Sequence, residues 1–346
     1  MRLAWTAAIL AAALVVSLPA TAGADEVRDA QWHLTALELP AAHELSTGEG
    51  VKIGVIDTGI DARHPDLAEA VTEGTAFGDT DSLTDPVGTG TAVASVLAGR
   101  GHGQDAGVLG VAPGAQITSV SLGTGIVDPQ HVAAGIKFLV DSGMDVITLT
   151  RGVEFQEAVQ NAIANAAAAD VVVVVAAGPG GGRGYTEAVT AIGTDRSGAP
   201  MTPIPEGADV TVTAPADQIM AAGPNGGYQT TSDAALAVPM VAGTLALVKE
   251  RLPDLAGTDL IRHLVDSGEP RDGGAVTLRP LQALSAEQAQ PVDGDAHAGA
   301  ADGGDGAAPA AAVNTPLIAV VAAAGLLVQA ALVGYARLAA RRARRV

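Results

Sequence analysis

Four stretches of this 346-residue chain set particular side chains where an apolar run meets a turn. Val51–Asp61, V-K-I-G-V-I-D-T-G-I-D, ends a strand-like run on the carboxylate of Asp57. Asp85–Ala94, D-P-V-G-T-G-T-A-V-A, centres on the hydroxyl of Thr89. Val171–Gly178 is a run of five valines closing in Ala-Ala-Gly, and Pro179 follows it. Asp233–Gly243, D-A-A-L-A-V-P-M-V-A-G, carries Ala235 near its start. Acyl transfer by a side-chain nucleophile needs an attacking oxygen, an imidazole to take its proton and a carboxylate to orient that imidazole. Asp57 is a carboxylate suited to the last task. A threonine hydroxyl is no base near neutral pH, a methyl group cannot attack a carbonyl, and proline has no N–H to offer an oxyanion.

Other candidates are few. Ser232 lies three residues before Ala235. Ser232 and Asp233 are both good N-cap types ahead of Leu236, so helix capping is expected of both. Gly178–Gly184, G-P-G-G-G-R-G, follows a strand but has the spacing of neither phosphate-binding loop. The chain has no cysteine, which rules out disulfides and thiolate zinc sites. No histidine–carboxylate cluster has metal-site spacing, and no metal or other cofactor is expected.

In type, order and spacing these motifs resemble the subtilisin-like serine proteases (peptidase S8, the subtilases). The resemblance covers roughly Gln31 to Leu284. His64-Pro65-Asp66-Leu67, Gly110-Val111-Ala112-Pro113 and Asp145-Val146-Ile147 match further landmarks, and Ala237, Pro239, Val241, Ala242 and Gly243 match the pattern G-T-S-x-A-x-P-x-V-A-G. The resemblance implies roles. Asp57 falls on the catalytic aspartate, Thr89 on the histidine, Ala235 on the nucleophilic serine and Pro179 on the asparagine that donates to the oxyanion. Only the aspartate is kept, and without its imidazole Asp57 is expected to be solvated or hydrogen-bonded. Asp233 replaces a glycine and sets a negative charge where the oxyanion would form. Family members hold substrates as an added strand beside the segment matching Thr148–Gly152, which makes Thr150, Arg151 and Gly152 candidate peptide-groove residues. Arg151 would narrow that groove, favour acidic peptides or stand as a solvated lip. His64 belongs to its turn. His102 follows the expected helix over 90–97 and falls ~15 Å or more from the site.

These positions require a scaffold of buried strands. Strand-like runs occupy Lys52–Ile56, Gln116–Ser121, Val146–Leu149, Val171–Val175, Ala188–Ile192 and Val210–Ala214. Helical stretches include His131–Ser142, Phe155–Ala169, Leu236–Arg251 and Thr258–Ser267. Continuous apolar strands alternating with helices predict an α/β fold: a subtilisin-like, doubly wound and mostly parallel sheet with helices on both faces. Apolar residues make up 48% of the chain and aromatics only 2%, so Val, Leu, Ile and Ala must build the core.

The ends carry a different signal. Residues 1–24 have a basic start, a short apolar stretch and Ala-x-Ala sites, as in a signal peptide. The subtilase-like domain follows over 25–285, and 286–315 is an Ala/Gly/Asp/Pro segment expected to be a disordered linker. Residues 316–336 hold no charge, and at 1.5 Å per residue would span ~31 Å as a helix, enough to cross a bilayer. The five arginines after them predict a cytoplasmic tail over 337–346, an extracellular domain and a single C-terminal transmembrane span. This order of parts is similar to that of the mycosins, the membrane-anchored subtilases of type VII secretion. The formal net charge is −19, and acids are confined to the part between the two ends, which disfavours nucleic acid as a partner. The combined expectation is a membrane-tethered pseudoprotease acting as scaffold or regulator, with secretion-complex membrane proteins or peptides as partners. An active serine endopeptidase with a non-standard site, and a peptide-binding or decoy module, are its rivals.

Overall fold

The computed structural model describes residues 22–103, 105–151, 154–178 and 184–286. Gly152, Pro179, the linker, the expected span and tail, and nearly all of the expected signal peptide lie outside them. Among the described residues no helix is long and apolar enough to cross a membrane.

In chain order the elements are α1 (Ala22–Asp29), α2 (Trp32–Ala36), α3 (Leu39–His43), β1 (Lys52–Asp57), β2 (Val71–Ala76), α4 (Thr89–Ala98), β3 (Arg100–His102), β4 (Ala106–Leu109), β5 (Gln116–Ser121), α5 (Pro129–Asp141), β6 (Val146–Leu149), α6 (Glu157–Ala168), β7 (Val172–Ala176), β8 (Val189–Thr194), β9 (Val210–Pro215), β10 (Ile219–Ala222), β11 (Tyr228–Thr231), α7 (Ala237–Arg251), α8 (Gly257–Asp266), β12 (Glu269–Pro270), β13 (Val276–Thr277) and α9 (Pro280–Ser285). Nine strands form one sheet in the order β12-β13-β9-β8-β7-β6-β1-β5-β2. Every neighbouring pair in it is parallel except β12 with β13. All six expected strands and all four expected helices form, each within two residues of its predicted bounds.

Both faces of the sheet are covered, and the two-residue period of a strand divides its side chains between two cores. Val172 and Val174 join one core, while Val171, Val173 and Val175 join the other. Along β1, Ile53 and Val55 face the first and Ile56 the second. The first core is closed by α4, α7 and α8. The second is closed by Val132, Ile136 and Leu139 of α5 with Val159, Ile163 and Ala166 of α6. Helix α7 is buried without a break from Ala237 to Val248. Pro239 is tolerated at its third position because the first four N–H groups of a helix have no partner within it.

The N-terminal segment is docked on the domain by backbone-directed bonds. Arg28 Nε donates to Gly107 O at 3.0 Å, Gln31 both donates to and accepts from the backbone of Leu109 at 2.9 Å, and Trp32 Nε1 donates to Asp217 O at 3.1 Å. Directly after these contacts comes His33, fully buried in α2, with neither ring nitrogen hydrogen-bonded among the described residues.

Candidate functional site

The C-terminal end of β1 and the start of α4 bring Asp57 and Thr89 together. Gly88 has φ +89°, a left-handed conformation that reverses the chain into α4. Asp85 holds that reversal. Its carboxylate accepts from the N–H groups of Val87, Gly88 and Thr91 and from Thr91 Oγ1, at 2.8 to 3.2 Å. Gly90 makes the close approach possible: a Cβ there would lie 2.0 Å from Gly59 O and 3.2 Å from Asp57 Cβ. The carbonyl belongs to the backbone and cannot swing away. Gly90→Ala is therefore expected to cost about 3 kcal/mol of stability, read as a lower midpoint in urea unfolding. An unchanged midpoint would mean that β1 and α4 separate more easily than this packing implies.

Asp57 is 2% exposed, which excludes the solvated alternative and leaves the hydrogen-bonded one. Its Oδ1 accepts from Thr58 N at 2.7 Å and lies 3.0 Å from Thr89 Oγ1, while Oδ2 accepts from Thr150 Oγ1. Thr89 Oγ1 is also 2.9 Å from Thr58 Oγ1, which donates to Asp85 Oδ1 at 2.7 Å. The oxygens of Asp57, Thr89, Thr58 and Asp85 thus form one connected chain. Burial raises the pKa of Asp57, Asp85 nearby raises it further, and the bonds from Thr150, Thr58 and Thr89 oppose the shift without cancelling it.

The consequence for stability has a definite sign. An acid with a raised folded-state pKa stabilises the fold fully below its ordinary unfolded value of 3.8, and loses that contribution as pH rises through the folded pKa. Asp57→Asn, neutral at every pH, is expected to melt higher than the parent at pH 8 and to lose that advantage at pH 4. A variant that melts lower at pH 8 would show Asp57 to be ionised and well solvated by its donors.

Asp57, Thr89, Thr150, Arg151 and Ala235 line one cleft of about 590 Å³, together with Asp233, Val87, Val127 and Thr202. Among its described lining residues there is no histidine and no serine. Gly152 and Pro179 lie outside the described residues. Arg151 is half-buried and held in place: it donates from Nη1 to Gly123 O at 2.6 Å and from Nη2 to Gly125 O at 2.8 Å. Asp233 caps the turn at Ala234–Leu236, its Oδ1 accepting from Ala235 N at 2.9 Å. Ser232, expected to share that task, instead donates to Asp217 Oδ1 at 2.6 Å and accepts from Gln218 N at 3.0 Å. Its hydroxyl is committed to the loop before β10. His64 serves its turn, with Nδ1 accepting from Asp66 N at 3.2 Å. His102, on β3, lies 2.5 Å from the buried Asp66 and does not line the cleft. Thr58 and Asp85 were not singled out from the sequence. An Asp-Pro-x-Gly turn ahead of a helix was the available sign for Asp85.

A family model described as Peptidase S8, Subtilase family, matches residues 48–279. Subtilisin Savinase of Lederbergia lenta is 32% identical over 246 residues, 67% of this chain and 89% of that protein. Among solved structures, MycP1 with its N-terminal propeptide removed superposes with a TM-score of 0.65 at 22% identity, over 74% of this chain and 97% of the other. The MycP3 protease from the type VII (ESX-3) secretion system gives 0.60 at 24% identity, over 73% and 87%.

Proposed function

The chain belongs to the subtilase family, and we propose that within it this protein is an exported, membrane-anchored pseudoprotease that works by binding. The observation that carries the reading is the cleft itself. Asp57 meets the hydroxyl of Thr89 where a protease needs an imidazole, and Ala235 presents a methyl group where it needs a nucleophile. Thr150 and Arg151 on the wall of this cleft support its reading as a peptide groove. Its occupants are peptide segments, and the role is that of a scaffold or regulator. The likeness in fold to a protease of a type VII secretion system supports a place beside such a membrane assembly. The uncharged stretch 316–336 and the arginines after it support the anchor and an extracellular domain.

The test of inactivity uses the full-length chain in detergent micelles, challenged with a fluorophosphonate probe and with casein. Neither labelling nor hydrolysis is expected. Stoichiometric labelling of any serine would replace this reading with that of an active endopeptidase of unfamiliar arrangement. Co-purification from solubilised membranes tests the scaffold role, and recovery of the chain without any membrane-protein neighbour would count against it.

A further inference from the structure

Three charged side chains line the cleft: Asp57, Asp233 and Arg151. Asp57 is buried and enclosed by three hydroxyl and amide donors. The guanidinium of Arg151 is turned onto the carbonyls of Gly123 and Gly125. Asp233 is different. One of its oxygens is fixed by Ala235 N, the other accepts no hydrogen bond from the described residues, and no described cation pairs with it. An oriented, exposed carboxylate therefore stands in the cleft next to Ala235, with no cation among the described residues in ion-pair contact with it.

The rim is apolar. Five large hydrophobic side chains are exposed among the described residues; one of them lines this cleft and two more are chain neighbours of lining residues. Val87 lines it at 48% exposure, Ile126 is fully exposed beside the lining residue Val127, and Met201 adjoins the lining residue Thr202. Exposed apolar side chains next to a concave, acid-bearing surface favour a binding site over a merely solvated one. The chain as a whole carries 38 acidic against 19 basic residues, which favours a cationic occupant over an acidic one.

We propose that the cleft holds an extended peptide that sets a lysine or arginine side chain on Asp233, with apolar side chains covering Val87, Ile126 and Met201. This rests on the peptide-binding reading above and narrows it to basic, apolar segments. It departs from the acidic preference that Arg151 suggests from sequence alone, because the donors of Arg151 are directed at the carbonyls of Gly123 and Gly125 while one oxygen of Asp233 accepts no bond from the described residues. A cation meeting Asp233 there forms a charge-assisted hydrogen bond.

Fluorescence anisotropy with the full-length chain in micelles tests it, using labelled octapeptides of one apolar sequence that carry Lys, Gln or Glu at a central position. At about 50 mM salt the Lys peptide is expected to bind about tenfold tighter than the Gln peptide, and the Glu peptide weaker still. The gap should narrow at about 500 mM salt. Asp233→Asn keeps an acceptor for Ala235 N, and so keeps the turn, while removing the charge. It should bring the Lys peptide to the affinity of the Gln peptide and leave the latter unchanged. Equal binding of the Lys and Gln peptides to the parent chain, or a Lys preference that survives Asp233→Asn, would overturn the proposal and leave peptide binding standing. Failure of all three peptides to bind at about 1 mM would overturn both.

Discussion

A chain carrying Ala235→Ser alone is expected to stay unlabelled by a fluorophosphonate probe. The new hydroxyl would have no base, because the residue that bridges towards Asp57 is Thr89, whose oxygen lies 3.0 Å from the carboxylate. Adding Thr89→His puts an imidazole at the start of α4 with a nitrogen towards Asp57, in the orientation a triad requires. That pair is expected to give a slowly labelling serine. Adding Pro179→Asn and Asp233→Gly should raise turnover further, by supplying an oxyanion donor and removing a negative charge from the place where an oxyanion would form. In subtilisin a lost oxyanion donor costs about 10²–10³ in kcat, and loss of a main triad member roughly 10⁶. Those magnitudes belong to subtilisin itself and set only the scale here, but on that scale the contrast between single and combined variants is large. Strong labelling of the single Ala235→Ser variant would reveal another base within reach and would overturn the account of Thr89.

Acid should weaken the fold through His33. Burial lowers its pKa from 6.5 to about 4, and neither ring nitrogen has a hydrogen-bond partner among the described residues. The unfolded chain therefore takes up a proton below pH 6.5 that the folded chain refuses until about pH 4. Stability due to this group is complete above pH 6.5 and is lost as pH falls through that window. The loss amounts to about 2 kcal/mol by pH 5, or a fall in Tm of roughly 4–8 °C for a domain of this size. His33→Leu removes the titrating group and both orphan nitrogens. It should melt higher than the parent at pH 5, by more than at pH 7.5. Burial also lowers the pKa of His43, but that contribution is common to both chains and cancels in the difference. A parent and variant whose melting temperatures run parallel from pH 7.5 to pH 5 would show that His33 is protonated in the fold or reached by water.

The sequence by itself determined the scaffold and which side chains stand at positions 57, 89 and 235. Five consecutive valines, or the run Ile53 to Ile56, can be satisfied only by a strand buried on both faces, so the parallel sheet followed from composition and order. The absence of an imidazole at Thr89 and of an oxygen at Ala235 is a matter of residue identity, which folding cannot restore. The short edges were not legible. β2 reads V-T-E-G-T-A, with neither an apolar run nor alternation, and it pairs with β5 across a bulge at Glu73 and Thr75. The hairpins β3–β4 and β10–β11 carry no stronger signal, because their pairing depends on what lies beside them. Only the tertiary structure decided which groups surround Asp57, since Thr89 and Thr150 reach it from 32 and 93 residues away. It likewise decided that Arg151 turns onto Gly123 and Gly125, that Asp217 takes Ser232 away from the cap, and that His33 is left without a partner. Local propensity states what a side chain can bond. Packing of distant segments settles which of those bonds is made, and here that choice leaves one oxygen of Asp233 without a hydrogen-bond partner among the described residues.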